Sequence, residues 1–372
     1  MIRHLYVHIP FCARICPYCA FYKDLLDRSQ TQRFCEAILR ELVGCDLSEP
    51  DWRLACRIVP STIYFGGGTP TALNIAQLEL LLRGFHERLD LSGLVEWTME
   101  ANPGGVSARK ASALKNFGVN RISLGVQSWH NDSLKLLGRE HDARRAEESF
   151  WILRAAGFTN INVDLMFGLP CQTTAQWRST LEKTIALQPE HISTYCLTYE
   201  EDTEFFLRQA RGEFRVDPDL EAELFEMTMS ILEAAGYGHY EISNYARPGF
   251  ESVHNRAYWL GEDYLGIGPS AFSTVGLHRW QNVPDYREYI ERVLSDRSAI
   301  GSMENLTSEM KRTERIALSL RTRDGAPADL LLTKPNQTNE FVALGLLRQL
   351  NGNFVLTQKG KSLADSVAEA VV

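Results

Sequence analysis

His4-Leu5-Tyr6-Val7-His8-Ile9-Pro10-Phe11-Cys12-Ala13-Arg14-Ile15-Cys16-Pro17-Tyr18-Cys19 joins a β-rich run to three cysteines in C-x3-C-x2-C spacing. Thiolates at that spacing are soft ligands suited to an iron–sulfur cluster or to zinc. Structural zinc asks for a fourth ligand, usually from paired C-x2-C halves. Neither a nearby fourth Cys nor a His at ligand spacing follows. Three thiolates on a four-iron cluster leave one iron open to a small molecule, so a [4Fe–4S] cluster on Cys12, Cys16 and Cys19 is expected.

Outward from this motif, short β-rich runs alternate with helical patterns. His4–Pro10, Thr62–Phe65, Val95–Glu100, Arg121–Val126, Asn160–Met166 and His191–Leu197 read as strands. Gln32–Val43, Ile75–Leu89, Ala108–Phe117, Ala143–Ala156 and Thr174–Leu187 carry apolar residues at helical spacing. Six βα repeats call for an α/β fold with a parallel sheet and outer helices, a partial (β/α)6 barrel over residues 1–200, open where eight units would close. Chemistry in such folds sits at the carboxyl ends of the strands, where the cysteines fall.

Beyond Tyr199 the repetition stops. A helix is expected from about Leu220 to Ala235, then a Gly-, Tyr- and Trp-rich stretch within a connecting region, 201–300. Over 301–372, helices at Ser308–Leu320 and Thr338–Leu350, a turn at Asn351-Gly352-Asn353, a strand Phe354–Leu356 and a helix from Gly360 suggest a winged-helix-like module. Glu304–Val372 holds nine Lys plus Arg against eight Asp plus Glu, so no basic reading face accompanies it and docking is the expected role.

The 372 residues, 44% of them hydrophobic, suffice for a substantial core. The formal charge of −8 argues against a nucleic-acid partner bound by phosphate neutralisation. No stretch approaches the roughly 20 apolar residues of a membrane span, and the motif begins too early for a cleaved leader, so a cytoplasmic location is expected. Eight cysteines are too sparse for a disulfide scaffold. Cys35, Cys45, Cys56, Cys171 and Cys196 lie scattered and read as small buried hydrophobes.

Three further motifs fall at strand ends, and two more ionisable residues stand out beyond them. Gly66-Gly67-Gly68-Thr69-Pro70 follows the second strand, where glycines let a backbone approach a ligand. Glu100 ends the third strand and Gln127 the fourth; either alone reads as a capping or turn residue. Arg139, in Leu137-Gly138-Arg139-Glu140, offers a fixed positive charge or a solvated helix end. Asp164, within Asn162-Val163-Asp164-Leu165-Met166-Phe167-Gly168-Leu169-Pro170, is an acid inside an apolar strand and needs a partner, for which a ribose hydroxyl would serve.

The cysteine motif with these strand ends resembles the radical S-adenosylmethionine superfamily. The motif order from Tyr6 to Pro170 is similar to that of the coproporphyrinogen III oxidase-like family. The resemblance implies a [4Fe–4S] cluster and S-adenosylmethionine, the latter touched by Tyr6, Tyr18, Gly67, Gly68, Thr69, Glu100, Gln127, Arg139, Asp164 and Thr198. That family has an oxygen-independent dehydrogenase branch and a heme-chaperone (HemW-type) branch. The dehydrogenase pattern carries a fourth cysteine where Phe21 stands, and an N-terminal segment ahead of the motif. His254-Asn255-Arg256-Ala257-Tyr258-Trp259 matches the H-N-x-x-Y-W signature of the chaperone branch, preceded by Tyr240-Glu241-Ile242-Ser243-Asn244-Tyr245-Ala246. The resemblance implies heme held by His254 with Tyr258 and Trp259 against the porphyrin, although Phe272 stands where a His is expected.

The function so implied is transfer of heme to an acceptor protein, with a reductant serving the cluster. It permits peripheral membrane contact and leaves the oligomeric state open. The alternative is a radical enzyme acting on a tetrapyrrole, and a third reading is a winged-helix regulator with an iron–sulfur sensor.

Overall fold

The computed structural model describes residues 2–43, 58–331 and 334–372. The βα alternation runs β1 (Ile2–Ile9), α1 (Thr31–Val43), β2 (Ile58–Gly67), α2 (Ile75–Arg88), β3 (Glu96–Ala101), α3 (Ala108–Asn116), β4 (Arg121–Gln127), α4 (Ala143–Ala155), β5 (Ile161–Phe167), α5 (Thr174–Ala186) and β6 (His191–Cys196). All six strands and five helices fall where periodicity puts them. The strands are buried along nearly their whole length, as parallel strands covered on both faces must be. Asn74 with Gln77 and Thr173 with Gln176 form capping boxes that start α2 and α5.

The chain divides into two compact units, one of Met1–Asp164, Thr198–Phe214 and Asp263–Asn305, the other of Leu165–Leu197, Arg215–Glu262 and Leu306–Val372. In the first, β1, β2, β3 and β4 pair in parallel in that order. The other edge of β1 carries a parallel strand, Tyr264–Ile267, from which Phe272–Val275, His278–Asn282 and Ile300–Asn305 continue antiparallel. The sheet is therefore mixed, and β1 lies in its interior.

One carboxylate fixes that added edge. Glu41, on α1, accepts hydrogen bonds from the Gly268 amide (2.9 Å), the Asn282 side-chain amide (2.7 Å) and the Tyr289 hydroxyl (2.6 Å). Phe11 packs edge-on against Phe34 of α1 and against Tyr286, so the same contact zone supports the start of the cysteine loop.

In the second unit β6 pairs antiparallel with Asn244–Ala246, which pairs with Gly238–Glu241. The expected helix near 220–235 is Pro218–Ala234, held to α5 where the Trp177 indole donates to Thr228 (2.8 Å). At the C-terminal end, strands Ala326–Pro327, Asn353–Leu356 and Leu347–Leu350 form a three-stranded sheet. Ile316, Leu320, Leu331, Leu356 and Val367 fill the core beside it. The expected helix Thr338–Leu350 is instead Pro335–Ala343 followed by a strand. Gly345, at φ 71°, ends the helical path, and Leu347 pairs with Leu356. The last helix comes in two pieces, Gln358–Lys361 and Ala364–Val371.

Of the cysteines read as structural, Cys35 is buried but Cys171 is exposed, because it occupies a turn at φ 61°. Cys45 and Cys56 lie outside the described residues. Among the described residues no helix is long and apolar enough to cross a membrane.

Replacing Glu41 with Ala leaves three donors without their carboxylate, and the expected loss is about 2–4 kcal/mol. Tyr289→Phe, which removes one donor, should cost about 1 kcal/mol. Urea-denaturation midpoints of the two variants check this order.

Candidate functional site at the strand ends

The cysteine loop grows directly out of β1. Phe11–Cys12 makes a short parallel pair with Asp24–Leu25, and the Leu26 amide donates to the Cys12 carbonyl (2.9 Å), folding the loop back on itself. Cys12, Cys16 and Cys19 are all half-buried, and no three His, Cys, Asp or Glu side chains among the described residues converge as on a single metal ion. A four-iron cluster fits this donor set, because three of its irons would take one thiolate each and the thiolates need not converge on one ion. Burial pushes the Cys12 thiol up to about 11 and also raises that of Cys19, with the neighbouring thiols adding to both shifts. Cationic iron would reverse this preference for the protonated form.

The glycine loop lies beside it. Gly68 donates to the Ile9 carbonyl and Thr69 to that of Phe11, both at 2.8 Å. A Cβ on Gly67 (φ 106°) would stand 2.6 Å from the His8 ring, and one on Gly68 would stand 2.5 Å from the Pro10 carbonyl oxygen. His8 shares a face of β1 with Tyr6. Its Nε2 lies 3.0 Å from the Tyr22 carbonyl and must donate, so Nδ1 accepts from the Tyr6 hydroxyl (3.0 Å). Burial lowers His8 to about 4, which keeps it neutral.

Glu100 accepts from the Tyr64 hydroxyl (2.8 Å) and the Gly67 amide (3.2 Å). Burial first, and then the charge of Asp164, pushes its carboxyl up to about 7, against the pull of the Tyr64 hydrogen bond. Asp164 accepts from the Ser123 hydroxyl (3.1 Å) and the Asn162 amide (2.7 Å). Gln127 ends β4 at φ 68°, a left-handed conformation unusual for a residue with a side chain. Arg139 donates to the Gly125 carbonyl (2.9 Å), the Asn102 side-chain oxygen (2.5 Å) and Cys16 Sγ (3.5 Å). Tyr18 packs 6.2 Å from Phe205. Thr198 is exposed just beyond β6.

The strand ends of the first unit thus bring the three cysteines together with two half-buried acids and one arginine. Sequence reading misses His8, Ser123, Asn162 and Asn102. The alternation Tyr6-Val7-His8 is the one signal that marks His8, since residues two apart share a strand face.

The signature residues of the second unit lie on the helix Val253–Trp259, capped by Ser252. His254 is 1% exposed, its ring edge-on to Tyr258 at 4.9 Å, while Tyr258 and Trp259 are half-buried. Phe272 is exposed on its strand.

A parallel αβ sheet with three cysteines after its first strand and a glycine loop after its second is the arrangement of a radical S-adenosylmethionine protein. The family model for the radical SAM superfamily matches residues 6–184. Heme chaperone HemW of Lactococcus lactis is 36% identical, over 98% of this chain and 96% of that protein. HemW of Bacillus subtilis is 35% identical over 98% of both, and HemW of Escherichia coli 34% identical over 98% and 97%. Coproporphyrinogen III oxidase (HemN) from Escherichia coli, a radical SAM enzyme, superimposes with a TM-score of 0.82 at 25% identity, covering 100% of this chain and 90% of that one. The chain belongs to the HemW family within the radical SAM superfamily. Membership of the superfamily implies a [4Fe–4S] cluster and S-adenosylmethionine.

A ligand ammonium placed beside Glu100 would require the carboxylate form. Affinity for S-adenosylmethionine should therefore rise through about pH 7, where Glu100 is half ionised without the ligand's help. Glu100→Gln should bind about tenfold more weakly and lose this slope. Anaerobic equilibrium dialysis across that range checks both.

Proposed function

We propose that this chain is a heme chaperone that holds a [4Fe–4S] cluster on Cys12, Cys16 and Cys19, binds S-adenosylmethionine and heme, and passes heme to an acceptor protein. The observation that carries this reading is the 34–36% identity to three HemW chaperones across 98% of the chain. When bound, the cluster supplies an electron at an iron that no protein thiolate occupies. The chain's own residues bind and orient: the Gly66–Pro70 loop, with Glu100 hydrogen-bonded to it, takes the ligand's ammonium, Arg139 its carboxylate, and Asp164 the ribose hydroxyls. Tyr6, Tyr18, Gly67, Gly68, Thr69, Gln127 and Thr198 complete the contacts.

In this reading residues 1–200 form a partial (β/α)6 barrel, 201–300 a connecting region carrying the heme motif, and 301–372 a winged-helix-like docking module. The likeness to HemN supports the barrel. The helix–strand–helix–helix–strand–strand order from Ser308 to Leu356 supports the module. His254 is the proposed iron ligand. Since it is buried, the segment Val253–Trp259 has to open for it to meet a porphyrin iron, with Tyr258 and Trp259 supplying flat apolar surface.

The second reading, oxidative decarboxylation of coproporphyrinogen III, draws on the likeness to HemN. It is disfavoured by Phe21, which is 73% exposed where the dehydrogenase pattern has its fourth cysteine.

Alanine at any of Cys12, Cys16 or Cys19 should abolish the broad visible absorption of the anaerobically reconstituted cluster. A triple variant that retains it refutes the assignment. In a heme titration, the wild type should show a Soret band, with a shifted band and weaker binding in His254→Ala. An unchanged spectrum and affinity in a folded, cluster-bearing variant would remove His254 as ligand. Protoporphyrinogen formed from coproporphyrinogen in the presence of S-adenosylmethionine and reductant would favour the second reading.

A further inference from the structure

Asn102 stands just past the end of β3, in Ala101-Asn102-Pro103-Gly104-Gly105. Its backbone behaves as an ordinary turn residue, its carbonyl accepting from the Gly105 amide at 3.0 Å. Its side chain does not stay in that turn. Nδ2 reaches the Thr69 hydroxyl oxygen (2.8 Å) and Oδ1 the Arg139 guanidinium (2.5 Å). Both of those partners touch cluster thiols: Thr69 Oγ1 lies 3.6 Å from Cys12 Sγ and Arg139 3.5 Å from Cys16 Sγ. One amide therefore links the two groups that approach the sulfurs of two different cysteines.

The direction of every bond in this chain follows from donor chemistry alone. A guanidinium has only N–H donors, so the Asn102 atom facing Arg139 must be the oxygen. The nitrogen then faces Thr69 and donates to it. A hydroxyl has a single proton, and with an N–H already directed at its oxygen, that proton is free to point at Cys12. When Cys12 is a thiolate it can only accept, so the Thr69 hydroxyl is the donor. Arg139 has a second anchor in the Gly125 carbonyl at 2.9 Å, which keeps the guanidinium from turning to suit a reversed amide.

We infer that Asn102 is a positioning residue for the cluster: held by Arg139, it fixes the Thr69 hydroxyl as a hydrogen-bond donor to the Cys12 thiolate. The inference rests on the reading of Cys12 as a cluster ligand. Hydrogen bonds to ligand sulfurs stabilise the more electron-rich reduced cluster, so they raise its reduction potential. Asn102 thereby sets a potential without touching the cluster.

The test is the midpoint potential of the anaerobically reconstituted protein, followed by electron paramagnetic resonance in the absence of S-adenosylmethionine. Thr69→Val keeps the shape but removes the donor, and should move the potential to a more negative value. Asn102→Asp also keeps its shape, but both of its oxygens accept. The Thr69 proton is then drawn to position 102 and away from Cys12, so the potential should again fall. In the double variant that proton is already gone, and the shift should be smaller than the sum of the two single shifts. An unchanged potential in Thr69→Val, or shifts that simply add, would overturn the inference. A wild type that takes up no cluster would instead overturn the cluster reading and this inference with it. A purely structural role for Asn102 would lower cluster content without producing the coupled shift.

Discussion

Everything at the strand ends depends on the parallel ladder between β1 and β2, in which His8 lies opposite Gly66 and Ile9 opposite Gly67. The ladder continues past the end of β1, because Gly68 and Thr69 donate to the Ile9 and Phe11 carbonyls. Those bonds draw the glycine loop down onto the root of the cysteine loop. No side chain fits between them: the His8 ring fills the place of a Cβ at Gly67, and the Pro10 carbonyl that at Gly68. The glycines serve close backbone approach first, and the exposure of amides to a ligand is a consequence of the same geometry.

That closeness creates an electrostatic problem, which the neighbouring groups resolve unevenly. Asp164 is supplied with a hydroxyl and an amide by Ser123 and Asn162, which themselves hydrogen-bond each other at 2.7 Å. Glu100 also has two donors, yet burial outweighs them and its carboxyl rises to about 7. The two acids, on successive sides of β4, are thus differently prepared: Asp164 is preorganised by polar neighbours, while burial holds the Glu100 carboxyl at about 7. Arg139 spends its donors on the Gly125 carbonyl, the Asn102 side chain, Cys16 Sγ and the Tyr18 hydroxyl.

The α/β alternation is legible because a parallel strand buried on both faces is a continuous apolar run and each outer helix keeps its period and its caps. The edge from Tyr264 to Asn305 is not, since its strands are short, all but the first pair antiparallel, and a distant carboxylate, Glu41, helps to hold them. At the site, the cysteines, glycines and ionisable groups are visible by residue type, spacing and family resemblance. Asn102, Ser123 and Asn162 are neutral polar residues whose importance lies wholly in what they meet across strands, and periodicity carries no record of that. The helix expected to run to Leu350 fails for a local reason, since Gly345 turns the chain and the following residues find a strand partner.

The H-N-x-x-Y-W motif shows a different limit of sequence reading. A signature names His254 without saying which way it faces, and its ring is turned inward against Tyr258. A helix of seven residues is too short to stand on its own hydrogen bonds and owes its order to packing. His254 and Ala257 are the two buried residues of that helix, so they carry most of this packing. Drawing His254 out to meet an iron removes half of the buried face that orders the helix. Packing and ligation are therefore alternative states of one side chain, and in the proposed function order in this segment is exchanged for the coordinate bond when heme arrives.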